Sequence, residues 1–478
     1  MSTETQPGSP HPSSAATADA IAATRKNNTR GKVLTASMVG TTIEFFDFYA
    51  YATASSLVFP ALFFPNQTST TQLLSSFAIF GVAFVARPLG SIIFGHFGDR
   101  IGRKKTLIAS LLIMGIGTFL IGLLPTASTP GWVVLAPLCL VLLRFCQGVG
   151  LGGECSGAAL LATENAPKGK RAIWGTFPQL GAPVGFIIAN LLFVGLSEWT
   201  SPEAFLAWGW RIPFLLSALL VAVGLYVRLS LMETPAFQLV AQKQQISKAP
   251  IGRVFASSWK PLILGTFIML ATYVIFYFMT AFTLTYGTAP ASPEQAQTAA
   301  EAAGKTFDPT GFVAGLGYSK SEFLTYLIIG VVFFGIFTVV SGPLAEKLGR
   351  RKMLLGVTVL IAAYGLIVNA LFNAGTAGVI IALIVGFILM GLTFGPMAAY
   401  LPELFPANVR YTGSAVSYNM SSVIGAGPAP FAMVALWQAE GGTIFYCGLY
   451  IIGAAILTLV ALYLAKDTSA LDMEDQLS

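Results

Sequence analysis

Long apolar blocks separated by short polar segments run through nearly the whole of this 478-residue chain. A helix that crosses a bilayer needs ~20 consecutive, mostly apolar residues and must pair its own backbone groups, because lipid offers no partners. Twelve blocks reach that length, at about 33–59, 73–94, 106–124, 132–160, 172–196, 210–231, 260–286, 321–342, 353–372, 377–401, 411–436 and 444–465. The pattern predicts an all-α membrane protein with twelve transmembrane helices. Residues 232–259 are polar and basic and read as a linker between two groups of six. Residues 1–32 hold few large apolar groups and are expected to form a disordered tail, with 466–478 as a second short tail. The first block is too long, and starts too late, for a cleaved signal peptide.

The polar joints repeat. Gly95-His96-Phe97-Gly98-Asp99-Arg100-Ile101-Gly102-Arg103-Lys104-Lys105 returns as Gly342-Pro343-Leu344-Ala345-Glu346-Lys347-Leu348-Gly349-Arg350-Arg351-Lys352, with glycines, acid and bases in the same register. A second echo follows blocks 4 and 10, where Glu164 precedes Arg171 and Glu403 precedes Arg410 by the same interval. Ordinary basic turns have no reason to share spacing. The chain therefore reads as two pseudo-symmetric six-helix halves, 33–231 and 260–465. Charged groups at helix ends beside glycines suit a gate, in which acids of one half meet bases across the interface. The gate candidates are Gly95, Asp99, Arg100, Gly102, Arg103, Glu164 and Arg171 in the first half, and Gly342, Glu346, Gly349, Arg350, Glu403 and Arg410 in the second.

Composition supports the membrane reading: 55% of residues are hydrophobic, 10% are charged, and mean hydropathy is +0.73. A soluble domain carries about 25% charge. The net charge of +6 does not imply nucleic acid, since the bases cluster in alternate joints. Arg25, Lys26, Arg30 and Lys32, the signature joints, Lys168, Lys170 and Arg171, and Arg228, Lys243, Lys248, Arg253 and Lys260 in the linker fall on one side. Arg211, Lys305 and Lys320 fall on the other, so both termini are expected in the cytoplasm. The stretch 287–320 reads as an external loop without evident chemistry. Cys139, Cys146, Cys155 and Cys447 have no disulfide or metal-ligand spacing, and no cofactor or metal is expected. No phosphate loop, serine elbow or His/Cys cluster points to an enzyme.

The chemistry lies in the charges placed inside the blocks. Glu44 and Asp47 sit mid-block, where each charge costs ~2.5 to 3.5 kcal/mol on insertion scales. With Tyr51 and Ser55 they fall within about 60° of one helical face. The pattern fits either a structural buried ion pair or a proton-coupling site. Arg144, with Gln147 and Glu154 within about 80° on the same helix, is the expected cation partner of Asp47 or Glu44; alternatively it holds a substrate carboxylate in two-pronged fashion. Arg87 before Pro88 suits either backbone support or substrate contact, and His96 reads as polar surface. Gln179 and Asn190 share a proline-interrupted face. Tyr273 and Tyr277, and Asn419 beside Tyr418, are the polar candidates of the second half. Tyr51, Arg144, Gln147, Glu154, Gln179, Asn190, Tyr273, Tyr277 and Asn419 thus form the candidate substrate wall, against helix packing as the other reading.

The paired joints resemble the signature loops of the major facilitator superfamily. Glu44-Phe45-Phe46-Asp47-Phe48-Tyr49, Arg87-Pro88-Leu89-Gly90, Trp208-Gly209-Trp210-Arg211-Ile212-Pro213-Phe214 and Pro402-Glu403-Leu404-Phe405-Pro406 with Arg410-Tyr411-Thr412-Gly413 resemble its bacterial metabolite:proton symporters, over about 31–465. Phe94 to Arg100 and Ala159 to Glu164 are similar to the shikimate-transporter branch. The sequence departs from the pattern in two places: Glu346 stands where Asp is usual, and Cys155-Ser156 stand where this branch carries Trp-Gly. The resemblance implies a multi-pass protein of the bacterial cell membrane, acting as a monomer. Its function would be import of a small polar, carboxylated metabolite such as shikimate or a di- or oxo-carboxylic acid, with protons, by alternating access. An uncoupled facilitator, an exporter, or uptake of a zwitterion such as proline or betaine are the alternatives. The partners implied are substrate, proton and lipid, without nucleic acid. The long acidic carboxy-terminal helix of osmosensing members is absent from the sequence.

Overall fold

The computed structural model describes residues 29–167, 169–230, 250–302, 309, 312–406 and 408–468. The first half comprises α1 (Arg30–Leu57), α2 (Ser69–Ile101), α3 (Arg103–Leu123), α4 (Leu135–Glu164), α5 (Arg171–Trp199) and α6 (Gly209–Leu229). The second comprises α7 (Trp259–Thr288), α8 (Lys320–Leu348), α9 (Arg350–Phe372), α10 (Gly375–Glu403), α11 (Arg410–Ala439) and α12 (Phe445–Leu464). Eleven of these are long and apolar enough to cross a membrane. The other, α1, has the length but carries Thr41, Thr42, Glu44 and Asp47 among its apolar residues. The amino-terminal tail through residue 28, the linker through 249 and the end of the chain from 469 lie outside the described residues.

The signature joints are not loops. Gly95 to Ile101 form the last turns of α2, and the chain reverses into α3 at one residue, Gly102, whose φ of 106° suits only glycine. Gly349, φ 84°, does the same between α8 and α9. Falling hydropathy marks where a helix leaves lipid, while the helix itself continues. The external stretch also gains structure: Pro293–Ala302 is helical, and Gly315 to Tyr318 return along the end of α7 through backbone bonds to Pro290, Tyr286, Ala289 and Gly287.

Outward faces carry the lipid-facing side chains, such as Val85, Leu142, Leu219 and Leu366. Inside the first half α4 packs on α2 and α3, and α1 on α5; inside the second, α8 packs on α10 and α9 on α12. The halves meet through α2 against α11 and through α5 against α8 and α10. Small residues allow the close crossings: a Cβ on Gly90 would enter the backbone of Val149, and one on Gly152 would enter that of Arg87 and Ser91. Three interfacial helices are interrupted. α5 breaks at Leu180 between Pro178 and Pro183, and α7 and α11 widen to π turns at Phe278–Phe282 and Ser422–Ala426.

Candidate functional site

Asp47 lies at the centre of the first half and is 1% exposed. Its Oδ2 accepts a hydrogen bond from Thr118 Oγ1 of α3 at 2.8 Å. Thr118 Oγ1 in turn accepts from Gln147 Nε2 at 2.6 Å, and Gln147 Oε1 accepts from Arg144 Nη1 at 3.1 Å. The direct Arg144–carboxylate pair expected from the sequence is not formed. Two neutral side chains connect the charges instead. Asp47 Oδ1 and Arg144 Nε and Nη2 find no hydrogen-bond partner among the described residues. The Thr118 hydroxyl also lies 3.1 Å from the Met114 carbonyl oxygen, so its one proton has two alternative acceptors.

Aromatic faces hold the guanidinium. Arg144 Cζ lies 4.0 Å from the Tyr51 ring centroid, 4.9 Å from Phe80 and 5.3 Å from Phe48. Arg87 Cζ lies 4.8 Å from Phe84 and 5.4 Å from Phe48, so Phe48 contacts both arginines. Cation–π contacts of this kind contribute about 2 kcal/mol when desolvated. Tyr277 of α7 packs edge-on against Phe84 at 5.1 Å and Phe48 at 5.7 Å, bringing the second half onto the same cluster.

A cavity between the halves is walled by Glu44, Arg87, Thr272, Tyr273, Tyr277 and Tyr418, together with several phenylalanines. It leaves ≈ 10 Å³ for the centre of a water molecule, near the minimum that one water requires. Below it, towards the Gly102 and Gly349 turns, a second small cavity is lined by Ser156, Gln179, Ser414 and Tyr418. Tyr418 borders both.

The face bearing those turns is closed. Across the halves Tyr411 Oη donates to Gly153 O at 2.6 Å, Asn419 Nδ2 to Gly152 O at 2.8 Å, and Gln179 Nε2 to Phe394 O at 2.9 Å. Glu346 accepts from the backbone N–H of Ala172, at the start of α5, at 2.6 Å. Arg350 bridges Glu346 at 3.2 Å and Glu403 at 3.5 Å, and Thr468 donates to Glu403 at 2.7 Å. Glycines permit the contact: a Cβ on Gly95 would approach Thr412 Cα to 3.1 Å, and one on Gly342 would approach Ile173 Cα to 2.9 Å. At the opposite face the bond between Lys320 Nζ and Leu57 O is long, 3.5 Å.

The structure brings Asp47, Gln147, Arg144 and Tyr51 together, and separately Glu44, Tyr273 and Tyr277. Others lie elsewhere. Glu154 forms an ion pair with Arg228 and accepts from Ser110 at 2.6 Å, away from both cavities. Arg228 is no linker residue: it lies in α6, 5% exposed. Asn190 is occupied within the first half by Thr53 and the Phe186 carbonyl. Gln179 and Asn419 tie the halves together near the closed face. Arg100 contacts His96 at the surface, Arg410 donates to Phe405 O, Glu164 ends α4 and Arg171 opens α5. The side chains of Asp99 and Arg103 lie outside the described residues. Sequence reasoning left out Thr118, a threonine flanked by apolar residues in α3 with no pattern to flag it. Arg87, left between two roles, stands at the cavity wall.

Twelve helices in two six-helix groups, closing on a central cavity, define the transporter fold of the major facilitator superfamily. The fold matches the proton:xylose symporter XylE bound to 6-bromo-6-deoxy-D-glucose, with a TM-score of 0.69 over 94% of this chain and 98% of that one, at 16% identity. Residues 32–261 and 306–476 match the model of the sugar (and other) transporter family, and the chain belongs to that family. It is 50% identical to the inner membrane metabolite transport protein YhjE of Escherichia coli over 92% of this chain and 95% of that protein. It is 33% identical to the Escherichia coli shikimate transporter, over 90% and 93% of the two chains, and 31% identical to that organism's proline/betaine transporter, over 92% and 84%. The chain is thus a multi-pass membrane transporter and not an enzyme.

Proposed function

We propose that the chain imports a small, carboxylate-bearing metabolite together with protons, across the inner membrane, by alternating access of its two halves. The basic face is taken as cytoplasmic. The observation that carries the coupling is the position of Thr118 between Asp47 and Met114 O. With Asp47 ionised, Thr118 donates to it. With Asp47 protonated, the carboxyl donates to Thr118 Oγ1 and the threonine proton turns to Met114 O. Both forms keep the Asp47–Thr118 hydrogen bond, so a proton can be taken up and released without breaking that link.

Substrate recognition is assigned to the cavity beside Arg87, whose guanidinium suits a carboxylate. The cavity is too small for a metabolite in this state, so binding requires the halves to part. A second reading, a zwitterion, is favoured by one feature: Glu44 and an aromatic wall share that cavity with Arg87, which suits a cationic nitrogen beside a carboxylate. Thermal-shift measurements of the purified protein with shikimate, dicarboxylates, citrate, proline and betaine separate the two, followed by uptake of each hit into proteoliposomes. Stabilisation by acids or zwitterions, lost in Arg87→Gln, is expected. Stabilisation only by neutral sugars, unaffected by Arg87→Gln, would overturn the assignment.

A further inference from the structure

Arg228 and Glu154 are buried, charged and placed by the folding of four helices, yet neither lines either of the two cavities described above. Arg228 Nη1 lies 3.0 Å from Glu154 Oε2, its Nη2 pairs with Oε1, and it also donates to the Leu107 carbonyl of α3. Glu154 lies on α4 directly after Gly152 and Gly153, the two residues whose carbonyls receive Asn419 and Tyr411 of α11. One turn further, a Cβ on Gly157 would come within 2.9 Å of the Tyr411 hydroxyl. This stretch of α4 is therefore held from behind by Arg228 and from in front by the other half. On the α1 side, a Cβ at Gly40 would stand 2.6 Å from Arg228 Nη2, so only glycine leaves the guanidinium its place. Glu44, one turn beyond Gly40, lies on the face of α1 that Arg228 approaches, and it is also the acid of the central cavity wall.

We infer that Arg228 is a positioning residue that divides its charge between Glu44 at the cavity wall and Glu154 behind the α4–α11 contact, and so ties the state of the cavity to closure of the basic face. One guanidinium serves two carboxylates. When Glu44 is neutralised, by a proton or by a cationic group of a ligand, Arg228 belongs wholly to Glu154 and α4 is held firmly against α11. When Glu44 is charged, it competes for Arg228 and the hold on α4 relaxes. The device requires no particular substrate and does not depend on the role of Asp47.

Hydrogen–deuterium exchange of the full chain in lipid nanodiscs tests it, read on segments 152–157 and 411–419, with α12 as internal reference. In Glu154→Gln, exchange in the two segments is expected to rise about threefold or more while α12 stays unchanged, because the guanidinium loses the charged partner that holds it behind α4. In Glu44→Gln it is expected to fall, because the competitor is gone. In the double variant the effect of Glu44→Gln is expected to vanish, because it acts through Glu154. If Glu154→Gln fails to fold, Glu154→Asp, which draws the carboxylate back from Arg228, is expected to shift exchange the same way, and the Glu44→Gln arm stands alone. Wild-type rates in the two segments of Glu44→Gln, or a rise spread evenly through the first half in Glu154→Gln, would overturn the inference.

Discussion

Thr118 shows how much one hydroxyl carries in a membrane interior. It accepts from Gln147 and faces both Asp47 and Met114 O, so deleting it leaves the Gln147 amide and the Asp47 carboxyl without a shared partner. Each buried group left unmade costs about 1 to 3 kcal/mol. Thr118→Val, of nearly the same volume, is therefore expected to lower the melting temperature in detergent, and Thr118→Ser to restore most of it. Equal melting temperatures for Val and Ser would remove the hydroxyl from the network. This residue was illegible in the sequence because one threonine among apolar residues fits any helix packing. Asp47 and Arg144 were legible because charge in an apolar block needs a physical reason. Their separation by Thr118 and Gln147 was not, since the sequence carries no information on whether neutral side chains stand between two buried charges.

At the scale of helices, the glycines of α2 and α4 set the distances. A larger side chain at Gly90 would drive into the Val149 backbone. Gly90→Val is expected to destabilise the first half by about 1 to 3 kcal/mol or more, as overpacking does, measured as a lower denaturation midpoint. The contact of α4 with α11 is gentler. Tyr411→Phe removes one bond, to Gly153 O, worth about 0.5 to 1.5 kcal/mol. With every 1.4 kcal/mol a factor of ten, opening of the basic face is expected to rise about two- to tenfold. The readout is thiol labelling of Ser414→Cys in a background without native cysteines; an unchanged rate would detach Tyr411 from the gate. Helix number and order were legible from hydropathy alone. Helix ends were not, because Gly95 to Ile101 leave the apolar pattern while remaining helical, and Arg228 at the edge of its block has the same polarity as the linker beyond it.

At the scale of the whole molecule, the duplicated joints made the two halves legible, and the structure adds which face they seal. The cross-half bonds from Tyr411, Asn419, Gln179 and Ala172 lie near the Gly102 and Gly349 turns, while the central cavity holds about one water. Transport must break these bonds and widen that cavity in alternation. Proton coupling through Asp47 makes a demand that a passive route does not: accumulation against a gradient needs the proton, while exchange of substrate across the membrane does not. The decisive measurement is uptake of an identified substrate into proteoliposomes, wild type against Asp47→Asn, with and without an inside-alkaline pH gradient. Wild type should accumulate substrate only with the gradient, and Asp47→Asn should still exchange labelled for unlabelled substrate yet accumulate none. Gradient-driven accumulation that survives in Asp47→Asn would contradict the role of Asp47.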